Sequence, residues 1–182
     1  DLQYRMVFYQ VNSIKFNDVN DTFRFFNPKA GITYTLNIAS SIYGYFGIAN
    51  KEPRRDDYES GSVKPERLQD YELGYKFKNK KTNLNINAFY MKYKDQLVAT
   101  GALNDVGSPV FENSGKSMRA GIEIEAALQL ASKFVIQPNI TLSTNKNKDF
   151  YFERDGVLTN LGNTNIAYSP NMVIGNALTY SL

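Results

Sequence analysis

Glu123 and Glu125 stand two residues apart between apolar neighbours. On an extended strand they would share one face, about 6.5–7 Å apart, a separation at which paired carboxylates can split a glycosidic bond. No other catalytic group accompanies them. The chain has no His and no Cys, which removes the usual general base, the commonest metal ligand and thiolate chemistry. No glycine-rich phosphate loop, calcium loop or nucleophilic triad is written, so neither an enzyme nor a cofactor site is read here. Two other clusters suit binding. Arg54 and Arg55, beside Asp56, Asp57 and Tyr58, could grip an anion through paired guanidinium contacts. Residues 51–67 carry five basic and five acidic side chains, however, so this loop has no net field. Phe150, Tyr151 and Phe152 with Arg154 form a denser aromatic group, suited to the flat face of a catechol or a sugar. Phe111 is a further aromatic candidate in a loop.

The elements that position these residues follow from an alternation. From Met118 to Leu130 every even position is apolar, and Arg119, Gly121, Glu123, Glu125, Ala127 and Gln129 lie between them. A strand presents alternate side chains to opposite faces, so one face is apolar and the other polar. The apolar face is long enough for a membrane-spanning strand, about 9–11 residues. Similar alternation occurs at Ala30–Ile38, Phe134–Leu142 and Ile166–Leu182. It also runs through Tyr71, Leu73, Tyr75 and Phe77, with Asp70, Glu72, Gly74 and Lys76 between them.

Eight strand segments are predicted, at residues 1–12, 24–38, 42–50, 68–78, 82–98, 117–130, 134–144 and 166–182. Their connections alternate: long polar loops at 13–23, 51–67, 99–116 and 145–165, and tight turns at 39–41, 79–81 and 131–133. That asymmetry suits an outer-membrane barrel with long loops outside and short turns in the periplasm. Asn104-Asp105-Val106-Gly107 and Glu153-Arg154-Asp155-Gly156 carry turn chemistry. Pro138 and Pro170 fall inside predicted strands, where each removes a ladder donor. A bulge or broken pairing is expected at Pro138.

Thirteen Tyr and twelve Phe suit interfacial girdles, while a net charge of +3 with no basic, aromatic-interleaved stripe argues against nucleic acid. The polar parity carries too many charges for a dry barrel interior. A wet or plugged lumen is expected, with Glu72, Lys76, Arg119, Glu123 and Glu125 facing it, the carboxylates paired with Arg119, Lys76 or other cations.

Three stretches go beyond periodicity: Asn50–Tyr58, Lys64–Tyr75 and Asn113–Glu125. The second contains Pro65-Glu66 followed by Tyr71-Glu72-Leu73-Gly74, and the third contains Arg119-Ala120-Gly121-Ile122-Glu123. Together they resemble the C-terminal half of the barrel of TonB-dependent outer-membrane receptors. The resemblance implies an all-β, antiparallel transmembrane barrel of about 22 strands around an N-terminal plug. It also implies nutrient import, chiefly of ferric siderophores, with haem, cobalamin or glycans as other cargoes. The implied partners are the TonB complex, acting through the plug, and outer-membrane lipids. No TonB box, plug-like segment or leader peptide is found, and both ends stop inside alternating patterns. An internal piece of one barrel domain over residues 1–182 is therefore expected. Two rival readings fit the alternation: a self-contained eight-stranded outer-membrane barrel serving as adhesin or anchor, and a soluble lipocalin-like binding barrel with its apolar face inward.

Overall fold

The computed structural model describes all residues except 13–17, 61–62, 104–105, 114, 149, 155–156 and 182, together with the side chains of 56, 59–60, 100–102, 151–154 and 157–158. Asn104, Asp105, Asp155 and Gly156, read above as turn residues, therefore lie outside the described residues.

Eight antiparallel strands form one sheet. They are β1 (Leu2–Val11), β2 (Val19–Asn37), β3 (Ser40–Lys51), β4 (Glu66–Lys78), β5 (Thr82–Lys94), β8 (Lys116–Ala131), β9 (Phe134–Lys148) and β12 (Met172–Tyr180), each hydrogen-bonded to the next. Two short hairpins rise from the long connections: β6 (Leu97–Leu103) with β7 (Pro109–Asn113), and β10 (Tyr151–Arg154) with β11 (Val157–Asn160). A 3₁₀ turn at Arg55–Ser60 occupies the loop after β3. Among the described residues no helix is long and apolar enough to cross a membrane, so any crossing is made by strands.

The strand count of the principal sheet matches the alternation, and three boundaries move. β2 begins at Val19 because pairing with β1 carries it upward to Val11. β5 ends at Lys94, where Asp95 takes a left-handed conformation (φ 55°) and turns the chain toward β6. The last strand starts at Met172 rather than at 166. Before it, Tyr168 is also left-handed (φ 56°), and Ile166 is buried against Val98 and Phe150. The long polar loops predicted at 99–116 and 145–165 carry the two hairpins, the first of which begins at Leu97, inside the predicted strand 82–98.

Pro138 lies in the central strand β9. The β8–β9 ladder passes from Glu125–Asn139 to Leu128–Ile136 with unchanged register. Pairing is thus interrupted where proline lacks its N–H, without the extra residue of a bulge. Pro170 precedes β12. At Pro28 the long strand β2 changes partner: residues up to Pro28 pair with β1, and residues from Lys29 pair with β3. Asn27 and Asn50 close this seam, the Asn50 backbone N–H and side-chain amide both donating to Asn27 Oδ1 at 3.1 and 2.8 Å.

Register aligns the apolar parity into ranks across the sheet. Tyr75, Ile86, Ile124, Ile140 and Ile174 form one, and Leu73, Ala88, Ile122, Leu142 and Met172 another. These side chains are exposed or half-buried, with Leu73 at 65% and Ile174 at 64%. Buried residues of the opposite parity include Phe25, Asn27, Asn87, Ser117, Asn145 and Asn147. A soluble barrel would bury the apolar ranks, so the lipocalin-like reading fails. The eight strands also form an open sheet with β1 and β12 at its edges, which does not support a closed eight-stranded barrel. From Phe134 to Leu142 the apolar face covers about 27 Å of strand at ~3.4 Å per residue, close to the ~25 Å apolar band of an outer-membrane barrel.

Candidate functional site: the polar wall and its loops

The polar parity forms a wall across β3, β4, β5 and β8. Register places Asp70 beside Met91 and Arg119, Glu72 beside Phe89 and Gly121, Gly74 beside Asn87 and Glu123, and Lys76 beside Asn85 and Glu125. All five expected lumen residues (Glu72, Lys76, Arg119, Glu123 and Glu125) therefore share one face. The anticipated ion pairs among them do not form. The salt bridges of the described residues are Arg5–Glu52 and Lys51–Glu66. The wall cations lie instead over aromatic rings: Lys76 Nζ sits 4.7 Å from the centroid of Tyr43, and the Arg119 guanidinium 5.6 Å from that of Tyr93. Such contacts satisfy a cation without neutralising it. Tyr43 donates its hydroxyl to Asn87 Oδ1 at 3.1 Å, and Asn87 Nδ2 donates to Glu72 at 3.4 Å. A Lys76–Tyr43–Asn87–Glu72 chain thus crosses three strands.

The motif glycines make room for these rings. A Cβ on Gly74 would collide with the Tyr43 ring. A Cβ on Gly121 would meet the Leu142 carbonyl oxygen and stand 2.8 Å from Phe89 Cζ. The glycines after Glu72 and Arg119 are therefore seats for aromatic rings lying along the wall. The sequence motif marked these positions without showing which rings occupy them.

Above the wall, Tyr58 of the 3₁₀ turn stacks on Tyr9 (centroids 5.5 Å apart, planes 13° apart) and donates to Asp21 Oδ2 at 2.8 Å. Burial first, then the hydrogen bond to Asp21, holds its phenol well above the ordinary value. Tyr58 is thus tied to β1 and β2. Arg54 and Arg55 remain exposed at the start of the turn, where Asp57 Oδ2 accepts from the Arg54 backbone N–H at 2.7 Å. Arg5, not singled out by the sequence, pairs with Glu52 at 2.5 Å and lies over Phe25 at 5.1 Å. The aromatic triplet divides. Phe150 is 7% exposed, packed with Val98 and Ile166, and so serves as the anchor of the β10–β11 hairpin. Tyr151, Phe152 and Arg154 lie on β10, and their side chains are outside the described residues. Phe111, on β7, is 36% exposed. Among the described residues no cluster of three or more acidic, His or Cys side chains could hold a metal.

A family profile described as "TonB dependent receptor-like, beta-barrel" matches residues 3–182. The chain belongs to this family. It is therefore an all-β transmembrane barrel chain of the Gram-negative outer membrane, in a family of transport receptors rather than enzymes. Among solved structures, this receptor barrel chain is similar to the siderophore receptor PiuA from Acinetobacter baumannii, with 18% identity, 93% of this chain and 26% of that chain covered, and a TM-score of 0.69. It is similar to the alcaligin outer-membrane receptor FauA from Bordetella pertussis, with 18% identity, coverage of 91% and 28%, and a TM-score of 0.60. It is also similar to the ferric yersiniabactin uptake receptor FyuA from Yersinia pestis, with 20% identity, coverage of 89% and 23%, and a TM-score of 0.57. At these identities the likeness establishes the fold. The chain spans about a quarter of the length of each of these structures. Comparison with curated protein sequences returns no match.

Proposed function

We propose that residues 1–182 form part of the barrel wall of a larger TonB-dependent receptor that imports a ferric siderophore, with the TonB complex acting through a plug that this wall surrounds. The observation that carries the reading is the sided sheet: apolar ranks outward, and on the other face a polar wall whose charges are not neutralised within it. Asp70 Oδ1, Asn85 Oδ1 and Arg119 Nε are buried and find no hydrogen-bond partner among the described residues. Buried polar groups left unpaired cost about 1–3 kcal/mol each. These three atoms are covered by the chain's own atoms, so the groups left for a polar plug or a wet lumen to meet are the exposed charges of the same face, Lys76, Glu123 and Glu125, which an apolar filling would strand.

The siderophore class is supported by the similar structures, which include a siderophore receptor, an alcaligin receptor and a ferric yersiniabactin uptake receptor. Within this chain, Arg54, Arg55, Phe111, Tyr151, Phe152 and Arg154 are the loop residues proposed to meet the ligand. Tyr58 and Phe150 hold those loops in place. The test is uptake of iron-55 siderophores of catecholate, hydroxamate and phenolate type by a receptor-null strain carrying the full-length receptor, with and without TonB. TonB-dependent uptake of one class, reduced at least about fivefold by Tyr151→Ala with Phe152→Ala, supports the reading. Wild-type receptor that takes up none of them, while present and folded in the outer membrane, overturns the siderophore assignment.

A further inference from the structure

The long loops follow one another along the rim in sheet order, and the β6–β7 hairpin stands between two others. The loop after β3 lies on one side of it and the β10–β11 hairpin on the other. Each of the three carries residues proposed above to meet the ligand: Arg54 and Arg55, then Phe111, then Tyr151 with Phe152. Long loops are ordinarily the least stable parts of a fold. Here the middle hairpin is joined to both neighbours by contacts that strand alternation does not specify.

The first joint is Asn113. Its Oδ1 accepts from the Lys64 backbone N–H at 2.8 Å, and its Nδ2 donates to the Lys64 carbonyl at 3.0 Å. The amide thus pairs with one residue in both directions, as a neighbouring antiparallel strand would. Nδ2 also donates to the Asp95 carbonyl at 2.6 Å. Asp95 is left-handed, and its N–H reaches the carbonyl of Gly115, also left-handed, at 2.6 Å. One side chain therefore fastens the end of the loop after β3 to both legs of the β6–β7 hairpin. Glu66 reinforces the joint, accepting from the Leu97 N–H at 3.3 Å, and β7 itself packs against the 3₁₀ turn. The second joint is Phe150. Val98 of β6 encloses it together with Ile166, and all three are buried. The Phe150 backbone is bonded to the returning end of the β10–β11 hairpin, its N–H donating to the Gly162 carbonyl at 2.9 Å and its carbonyl accepting from Leu161 at 2.8 Å. The ring thus seats the base of that hairpin on β6. Two residues before Val98, Gln96 Oε1 accepts from the Ser117 hydroxyl at 2.5 Å, with both side chains buried, so the seat is itself tied to β8.

We infer that the β6–β7 hairpin is the keystone of the ligand site: through Asn113 on one side and Phe150 on the other it holds three loops as one preassembled clasp, which makes Asn113 and Phe150 positioning residues. The role at the ligand rests on the loop contacts proposed above, whereas the two joints belong to the ligand-free protein. Loops that are ordered before binding lose less conformational freedom when the ligand arrives. The contacts of the three loops are then coupled through the hairpin rather than additive.

The test is pulsed electron double resonance on the ligand-free, full-length receptor in detergent, with nitroxides at Arg55→Cys, Val106→Cys and Thr159→Cys taken in pairs. These positions are exposed, one to a loop. With both joints intact, the 55–106 and 106–159 distance distributions should be narrow. Asn113→Asp keeps the size of the side chain and its acceptor but turns a second oxygen toward the Lys64 and Asp95 carbonyls. It should widen the 55–106 distribution and leave 106–159 narrow. Phe150→Ala should do the reverse, and Phe150→Leu, which refills the space, should restore the narrow distribution. Heat-modifiable gel mobility verifies that each variant is folded. If either folded variant, Asn113→Asp or Phe150→Ala, widens both pairs or neither, the inference is overturned. For whichever siderophore the wild type imports, Asn113→Asp should weaken binding at least about fivefold, and unchanged affinity would overturn the positioning role. A receptor that shows both joints yet imports no siderophore keeps the keystone and loses only the proposed cargo.

Discussion

Replacing Gly74 by alanine should unseat Tyr43 and, with it, the hydrogen-bonded chain across the wall. The new methyl would occupy the space of the Tyr43 ring, and flanking ladders to Tyr43 and Asn87 fix the Gly74 backbone, so the ring must give way. A displaced ring costs roughly 0.5–1.5 kcal/mol if pushed off its rotamer. It also forfeits about 0.5–1 kcal/mol of cation–π contact with Lys76 and about 0.5–1.5 kcal/mol from the bond to Asn87. Against this, alanine constrains the unfolded chain more than glycine does, a gain of about 0.4–1 kcal/mol. The losses prevail, and a net destabilisation of about 0.5–3.5 kcal/mol, centred near 2, is expected. Urea denaturation of the full-length receptor in detergent, followed by tryptic resistance and heat-modifiable mobility, would measure it. A double-mutant cycle isolates the cause: in a Tyr43→Ala background, Gly74→Ala should become neutral or slightly stabilising. If Gly74→Ala is harmless in the wild type, or equally harmful with and without the ring, the seat argument is refuted.

Tyr58→Phe should cost about 0.5–1.5 kcal/mol by removing the bond to Asp21, seen as faster proteolysis of the loop after β3. Because the folded phenol titrates above the unfolded one, its stabilisation is complete below pH ~10 and falls as pH rises beyond that toward the folded value. Wild type should therefore lose more stability than Tyr58→Phe between pH 9 and pH 11, and parallel losses would contradict this. Ile124→Arg, in the middle of an outward rank, should destabilise the barrel by about 2–4 kcal/mol, whereas Glu123→Gln on the polar wall should change it by far less; similar costs would mean the faces are reversed. Epitope tags at Gly107 should be labelled on intact cells and tags at Lys80 only after permeabilisation, so labelling at both would refute the sidedness of the long loops.

The sequence by itself determined the strands and their alternation. Period-two patterning is local, and a one-residue slip in Met118–Leu130 would exchange its whole apolar set with its charged one. The hairpin lengths were legible for the same reason: Asn79 closes its turn by accepting from the backbone N–H groups of Lys81 and Thr82, chemistry held within four residues. What alternation cannot state is which parity faces outward, since two faces of a strand are symmetric to a pattern. Only the assembled sheet, with Leu73 and Ile174 exposed and Asn87 and Ser117 buried, decided that. Residues distant in sequence were likewise placed by the tertiary structure alone. Phe150 read as a free aromatic until Val98 and Ile166 enclosed it. Lys76 and Arg119 read as partners for Glu72, Glu123 and Glu125 until register set Tyr43 and Tyr93 beneath them. Arg67, Lys94, Lys116 and Lys148, one to a strand, likewise meet in a single rank only through strand order and register, which are set by hydrogen bonding between segments far apart in the chain.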